Sequence, residues 1–468
     1  MTIDKSSFTD SVLNNGSFKA DYFVPKKLAT NAKGEDYRDF AGDLGYTYNE
    51  AKAKEEWEKA KEEVGFDKVN ISIMLTDSEA NKTLGEFLQG EISDLDGMNV
   101  EIKQLPMKQF LDNLKSGDFD IAITGWGPDY PDPLTYLSTL TPTQLFGTAL
   151  KYDNKEYLDL LDQAMNKVST DESWPLYAKA EKVLLDEAQV VGIYQRGNAI
   201  LQKDYVKDIS VLTFGPKYSY KWASVDKNDK VLNVTNLSDI TSFDNPKIGD
   251  ATSREVSLNV MEGLTRLDKE MNVTPAMAES WKKSEDGKTW TFNIRKDAKW
   301  SNGESVTAND FEYAFKRSLD PKTGAQNTSV FYDIVGAEDY NTLQITLTRP
   351  VPYFDKLVSH PIFSPQNQKF VEAQGDKFGT SVETTLFNGP FTVTSWKQED
   401  QYTMEKNPNY WDKGSVKLDT IHVKIAKDDN TALNLYNAGD IDRVALGAEQ
   451  VDKYKDSKEL VKEINANK

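Results

Sequence analysis

The chain has 468 residues, of which 38% are hydrophobic, with a mean hydropathy of -0.61 and a formal net charge of -19. A chain of this length buries a large core but exceeds one compact domain, so two or three are expected; its acidity disfavours nucleic acid or a polybasic membrane patch as partner. Cysteine is absent and His360 and His422 are the two histidines, which excludes disulfides and thiolate chemistry and nearly rules out a Ser-His-Asp triad or a multi-histidine metal site.

The first block alternates helix and strand signals. Tyr48 to Val64 reads as a charged helix with Ala51, Trp57, Ala60 and Val64 on its apolar side, supported by Glu/Lys pairs and ended by Gly65. Val69 to Leu75 alternates as a strand, Asn81 to Ile92 is a helix, and Val100 to Leu105 a strand. Lys108 to Lys115 is a short helix and Asp120 to Thr124 the next strand. This β-α-β-α-β run predicts a mostly parallel sheet.

The strand then runs into Gly-Trp-Gly-Pro-Asp-Tyr-Pro-Asp-Pro, residues 125–133. Two glycines and three prolines stiffen this loop, which displays an indole and two carboxylates at the carboxyl end of a strand, where α/β folds bind ligands. A carboxylate beside Trp126 and Tyr130 suits an ammonium group; a Pro-rich surface turn with a packed Trp is the other reading of the same residues.

Helices follow at Lys155 to Val168 and Ser173 to Glu187, then an apolar strand at Val190 to Tyr194 and an irregular stretch from Lys203 to Trp222. Ser224 to Lys230 is polar and reads as a joint, after which Val231 to Val234 restarts as a strand. Beyond Leu264 short strands and turns dominate. Asp286-Gly287-Lys288 marks a hairpin into Thr289 to Arg295, Thr307 to Arg317 is a capped helix, and Leu343 to Leu347 alternates. Phe391 to Trp396 and Gln401 to Lys406 form a hairpin. An α/β pattern returns with strand Asp419 to Ile425, helix Asn430 to Ala438 and strand Ile441 to Ala445. Trp290, Phe292 and Trp300 alternate as core residues, and both histidines sit in structural settings.

The central block also carries a series of motifs. It reads Glu262-Gly263-Leu264, then residues 275–281 (PAMAESW), 286–292 (DGKTWTF), 300–304 (WSNGE), 307–311 (TANDF), 388–391 (NGPF) and 407–412 (NPNYWD). Together with Gly125-Trp126-Gly127-Pro128-Asp129-Tyr130 and Tyr194-Gln195-Arg196-Gly197, these resemble the oligopeptide-binding proteins of bacterial ABC importers, the lipoproteins of Gram-positive bacteria in particular. The resemblance implies an α/β fold of two lobes, the type II periplasmic-binding-protein arrangement, with an extra subdomain in the first lobe. It also implies a non-enzymatic function: binding extended oligopeptides between closing lobes and delivering them to an ABC transporter permease, as a monomer without cofactor or metal.

By the same resemblance Asp129 takes the peptide's N-terminal ammonium, Trp126 and Tyr130 wall the pocket, and Asn388 and Gly389 lie where a turn approaches the cleft. The bland readings are a turn-capping carboxylate, packed aromatics and an ordinary Asn-Gly turn. Asp132 reads as structural. Where some short-peptide relatives place carboxylate-anchoring arginines this chain has Leu114 and Ile123, with Lys115 a neighbour, so a wider length range or a pheromone-like apolar peptide is expected.

The order of segments departs from the family's. Val231 to Lys468 corresponds to what comes first in relatives and Ile3 to Trp222 to what comes second, so the chain reads as a circular permutant joined near 224–230, built deliberately for a sensor or fusion. A strand and most of a helix between Asn467-Lys468 and Ile3 read as missing, and the strand pair around Tyr340 to Leu347 as shortened. The expected domains are 1–199, most of lobe II; 200–417, lobe I with the extra subdomain; and 418–468, the rest of lobe II. The natural parent is expected to be a cell-surface lipoprotein whose signal and anchor cysteine are not present here. Competing readings are a permuted scaffold or sensor with partial or no binding, a peptide pheromone receptor, a carboxylate hydrolase and a metal binder.

Overall fold

In the computed structural model, which describes residues 1–326 and 342–464, the elements fall around several cores. The expected parallel sheet is present: Val69–Thr76 is its middle strand, flanked by Met98–Leu105 and Ile121–Ala122, both parallel to it. Ile73, Met74 and Leu75 are buried, because this strand is covered on both faces. The helix Glu79–Ser93 covers one face through Leu84 and Leu88, and Met107–Ser116 covers the other through Phe110 and Leu114. The third strand is shorter than its alternation predicts. Asp120 turns its carboxylate onto the backbone N–H and hydroxyl of Ser72, both at 2.8 Å, and so replaces a ladder bond.

The charged helix spans Glu50–Val64, capped by the Asn49 side chain and ended at Gly65 with φ +79°. None of its residues is buried, and Val64 is 75% exposed, contrary to the expected apolar side. Four apolar residues in four turns bury too little surface to draw this helix onto a core; the Trp57 indole instead donates to the Asp96 carbonyl at 2.7 Å. Helices Lys155–Met165 and Thr170–Asp186 pair, and build a second core with residues 24–37 and 134–140. There Arg38 and Glu181, both fully buried, form a two-pronged ion pair at 2.7 and 2.8 Å.

The central lobe holds the largest core. Its main sheet runs in the order Val231–Asn236, Thr420–Ile425, Gln401–Lys406, Phe391–Lys397, with the first pair parallel and the others antiparallel. A second sheet, Ala278–Lys283, Thr289–Ile294 and Thr342–Thr346, is antiparallel throughout, and the 286–288 hairpin joins its first two strands. Trp290, Phe292 and Trp300 are buried in the core. Helix Ala308–Leu319 opens with a Thr307/Asp310 capping box. Helix Ala251–Val260, which the pattern did not announce, lies nearly submerged, and its last five residues are all buried.

Two of the expected domain boundaries cut through sheets. Thr420–Ile425 is the second strand of the central lobe's main sheet, so a division at 417/418 separates it from both its neighbours. Gly197–Gln202, split by a division at 199/200, is the middle strand between Arg443–Ala445 and Leu460–Ile464. In both cases alternation locates the strand, while a partner from a distant part of the chain, Val231–Asn236 for the first and Arg443–Ala445 and Leu460–Ile464 for the second, decides its lobe. The Val190 to Tyr194 strand reduces to Tyr194–Gln195. The joint near 224–230 is packed: Ser224–Val225 pairs with Val206–Lys207, and Lys227 bridges to Asp442 at 3.1 Å. Tyr340 and Asn467-Lys468 lie outside the described residues.

Candidate binding cleft

The loop 125–133 leaves the parallel sheet at the carboxyl end of Ile121–Ala122, where the Ile123 N–H still donates to the Met74 carbonyl at 2.8 Å. It is then stapled to the helix that follows, Leu134–Leu137. The Trp126 indole donates to the Thr135 carbonyl at 3.1 Å, the Tyr136 hydroxyl donates to the Trp126 carbonyl at 2.9 Å, and the Asp129 N–H donates to the Thr135 hydroxyl at 3.0 Å. Trp126 is half-buried, edge-on to Phe146 at 5.8 Å between ring centres. Asp132 is fully buried and caps Leu134 N–H at 3.0 Å; burial pushes its carboxyl up to about 7.

This stapling turns the Asp129 carboxylate away from the loop's own donors. Among the described residues no side chain or backbone N–H bonds or bridges to it, and it remains open to solvent. Yet enough protein surrounds it that desolvation raises its pKa, opposed by the positive charge of Arg254 in the central lobe. The carboxylate is thus open to water on one side and flanked by protein on the other, a setting in which charge pairing is stronger than on a bare surface. Tyr130, next in the chain, stacks on Tyr353 of the central lobe, with ring centres 5.2 Å apart and planes within 4°. It touches the central core and the helical core alike, so the loop lies at the seam between them.

The structure therefore brings Trp126, Asp129 and Tyr130 together and sets Asn388 and Gly389 elsewhere. Asn388 is fully buried, and its amide bonds both backbone groups of Glu262, accepting from the N–H at 3.0 Å and donating to the carbonyl at 2.9 Å. Both ends of the side chain are occupied within the protein, so it fastens the 388–389 turn to Glu262. A Cβ on Gly389 would stand 2.6 Å from the Val260 carbonyl carbon; the glycine is required by the packing of two backbones. Leu114 and Ile123, at the places of the absent arginines, both pack into apolar clusters, and Lys115 is exposed.

The motifs of the central block converge on one buried network. Glu262 accepts from Arg266 at 2.6 Å, from the Tyr410 hydroxyl at 2.5 Å and from the Trp411 indole at 2.6 Å. Lys221 bridges to Asp412 at 3.0 Å, and Arg295 lies 3.2 Å over the Trp411 ring. Asn407 and Asn409 bond the carbonyls of Gly389 and Ser301, each at 2.9 Å. Sequence reasoning recognised these motifs without their joint purpose. The available signal was Glu262 itself, a charge set directly before Gly-Leu in an apolar run. Arg254 and Tyr353, which face the loop from the other lobe, carried no such signal.

The sequence profile of the bacterial extracellular solute-binding proteins, family 5 Middle, matches residues 1–146 and 272–467, more than half of the chain. The chain belongs to this family. Among its relatives, the dipeptide-binding protein DppE of Bacillus subtilis (strain 168) is 43% identical over 245 residues, 49% of this chain and 45% of that protein. The oligopeptide-binding protein OppA of the same organism is 37% identical over 234 residues, 46% and 43% of the two chains. Among solved structures, the substrate-binding domain of an oligopeptide ABC transporter from Bacillus anthracis str. Ames aligns with a TM-score of 0.49 and 45% identity, over 50% of this chain and 48% of that one. Listeria monocytogenes OppA bound to peptide aligns with a TM-score of 0.48 and 37% identity, over 50% and 49%. The chain thus spans about half the length of the relatives it matches. Its fold is α/β, in keeping with this family; among its described residues no helix is long and apolar enough to cross a membrane.

Proposed function

We propose that this chain is a non-catalytic binder of extended oligopeptides, held in the cleft between its lobes, and that its natural parent delivers them to an ABC importer from a lipid-anchored position outside the cell. The observation that carries this reading is the Asp129 carboxylate, desolvated yet open to solvent and without a donor among the described residues, on the loop that also carries Trp126 and Tyr130. An N-terminal ammonium supplies the three donors and the positive charge that such a carboxylate lacks. The dipeptide- and oligopeptide-binding names of the relatives support the ligand class. Asn388 and Gly389 enter as supports of the cleft wall. The order of segments is proposed to be permuted relative to the family, supported by a profile match in two separated stretches and by alignments that each stop at about half of both chains.

The test is calorimetry of the purified protein with a mixed pool of three- to six-residue peptides, alongside mass spectrometry of small molecules released on denaturation. Heat of binding that disappears when the pool is N-acetylated supports the reading. A protein that shows neither heat nor thermal shift with the pool, and releases no peptide, is a scaffold and not a binder.

A further inference from the structure

Among the described residues Tyr353, Lys356 and Lys283 reach across the seam beside the Asp129 loop, and all three come from the antiparallel sheet of the central lobe or the turn after it. Tyr353 stacks on Tyr130. One turn of chain later, the Lys356 ammonium donates to the Thr30 carbonyl at 3.2 Å and to the Thr30 hydroxyl. Lys283 donates to the Val168 carbonyl at 2.8 Å, close to where Gly287 lies against the Val168 side chain. Thr30 and Val168 belong to the helical lobe, whereas Tyr353, Lys356 and Lys283 are rooted in the central one through the buried Phe354, Leu357 and Trp290.

These contacts are built to release. Neither lysine has a carboxylate within bridging distance among the described residues. Each is held across the seam by oxygens of neutral groups, so closing exchanges water for one or two hydrogen bonds and gains no ion pair. Lys356 is half-buried, and desolvation lowers its pKa against the pull of Asp355 on its own lobe and of Asp36 and Asp132 opposite. The stacked ring belongs to the residue adjacent to Asp129. The loop's other staples, Thr135 and Tyr136, are on its own lobe, so Tyr353 is the contact that sets the loop against the far wall.

We propose that Tyr353 and Lys356 are positioning residues for the Asp129 site: they fasten the lobes at the loop, and the recess around the carboxylate is complete only while they are engaged. The inference rests on the peptide reading for its consequence, since the seized ammonium would hold the clasp shut, but it can be tested without any ligand.

The experiment follows the Asp129 carboxyl by carbon NMR through a pH titration, with Asp129→Asn for assignment, in the full chain and in Tyr353→Leu, Lys356→Met and Tyr353→Phe, with the radius of gyration measured by X-ray scattering. The expected result is that Tyr353→Leu and Lys356→Met move the titration back toward that of an ordinary aspartate and enlarge the radius, while Tyr353→Phe, which keeps the ring, behaves as the parent. Dissociation of tetra-alanine, read by tryptophan fluorescence, should accelerate about tenfold in the first two variants, as loss of one aromatic stack in the first and of the hydrogen bonds to Thr30 in the second allows, with association little changed. Parent-like titration and radius in Lys356→Met overturn the proposal, whether or not Tyr353→Leu folds. Absence of tetra-alanine binding in the parent, with the titration shifted as expected, counts against the peptide reading and leaves the clasp supported.

Discussion

Replacing Asp129 by Asn separates the charge of the site from its shape. The amide fills the same space, and the staples Trp126–Thr135, Tyr136–Trp126 and Asp129 N–H–Thr135 use none of the atoms changed. What is lost, on the proposed function, is the anion that takes the ligand's ammonium. A charge-assisted hydrogen bond contributes about 1.5–3 kcal/mol; the residue is solvent-accessible, which argues for the lower half of that range. A loss of about 2 kcal/mol corresponds to a Kd some ~30-fold weaker. Folding should move the other way, because the native state raises the Asp129 pKa by desolvation and the neutral amide removes that burden. The protein should therefore bind worse and melt no lower. Calorimetry with tetra-alanine and its N-acetyl form completes a cycle: acetylation should weaken binding to the parent about as much as the substitution does, and should cost little more in the variant. The pH dependence has a definite sign. The carboxyl is raised in the unliganded protein and an ammonium would lower it, so affinity should fall as pH falls through a point above the ordinary aspartate range of about 3.9. The variant should be flat there. Equal affinity of parent and variant, or indifference to acetylation, would refute the assignment of Asp129.

Three further outcomes concern the frame. Asn388→Ala strands the N–H and carbonyl of Glu262 in the core and should lower stability by about 2–4 kcal/mol in urea unfolding, while the folded fraction binds peptide as the parent does. Gly389→Ala drives a methyl to within 2.6 Å of the Val260 backbone, and soluble expression or the melting temperature should collapse; a parent-like melt would show that the two segments can part. Burial raises three carboxyls, Asp132 and Glu255 to about 7 and Asp310 to about 6, so the native state holds protons that the unfolded chain has released. Stability from these groups is complete below about pH 4 and is lost as pH rises through 6 to 7; the melting temperature should be higher at pH 5 than at pH 8, and Asp132→Asn should flatten part of that slope.

How much of this was legible in the sequence depends on where the information resides. The parallel sheet was readable because each of its strands and helices carries its own period, and the strand Ile121–Ala122 is followed within a few residues by the Gly/Pro loop. The loop was readable as a displayed group because glycine and proline act locally. Lobe membership was not: the partners of Thr420–Ile425 and Gly197–Gln202 are set by pairings between distant segments, which alternation cannot name. The same limit separates Asp129 from Asn388. Both sit in short motifs with glycine, and both read as ligand contacts, Asn388 with the stronger rival reading of an ordinary Asn-Gly turn. Only the fold shows that one side chain is buried with both ends of its amide engaged, while the other has no hydrogen-bond partner among the described residues. A motif marks positions at which substitution is expensive, and burial decides whether the expense lies in the frame or in the ligand. On that criterion the central block, with Glu262 accepting three hydrogen bonds in the dark interior, is frame almost throughout, and the proposed recognition chemistry falls to the few residues between Trp126 and Tyr130, where the frame leaves a desolvated charge open to water.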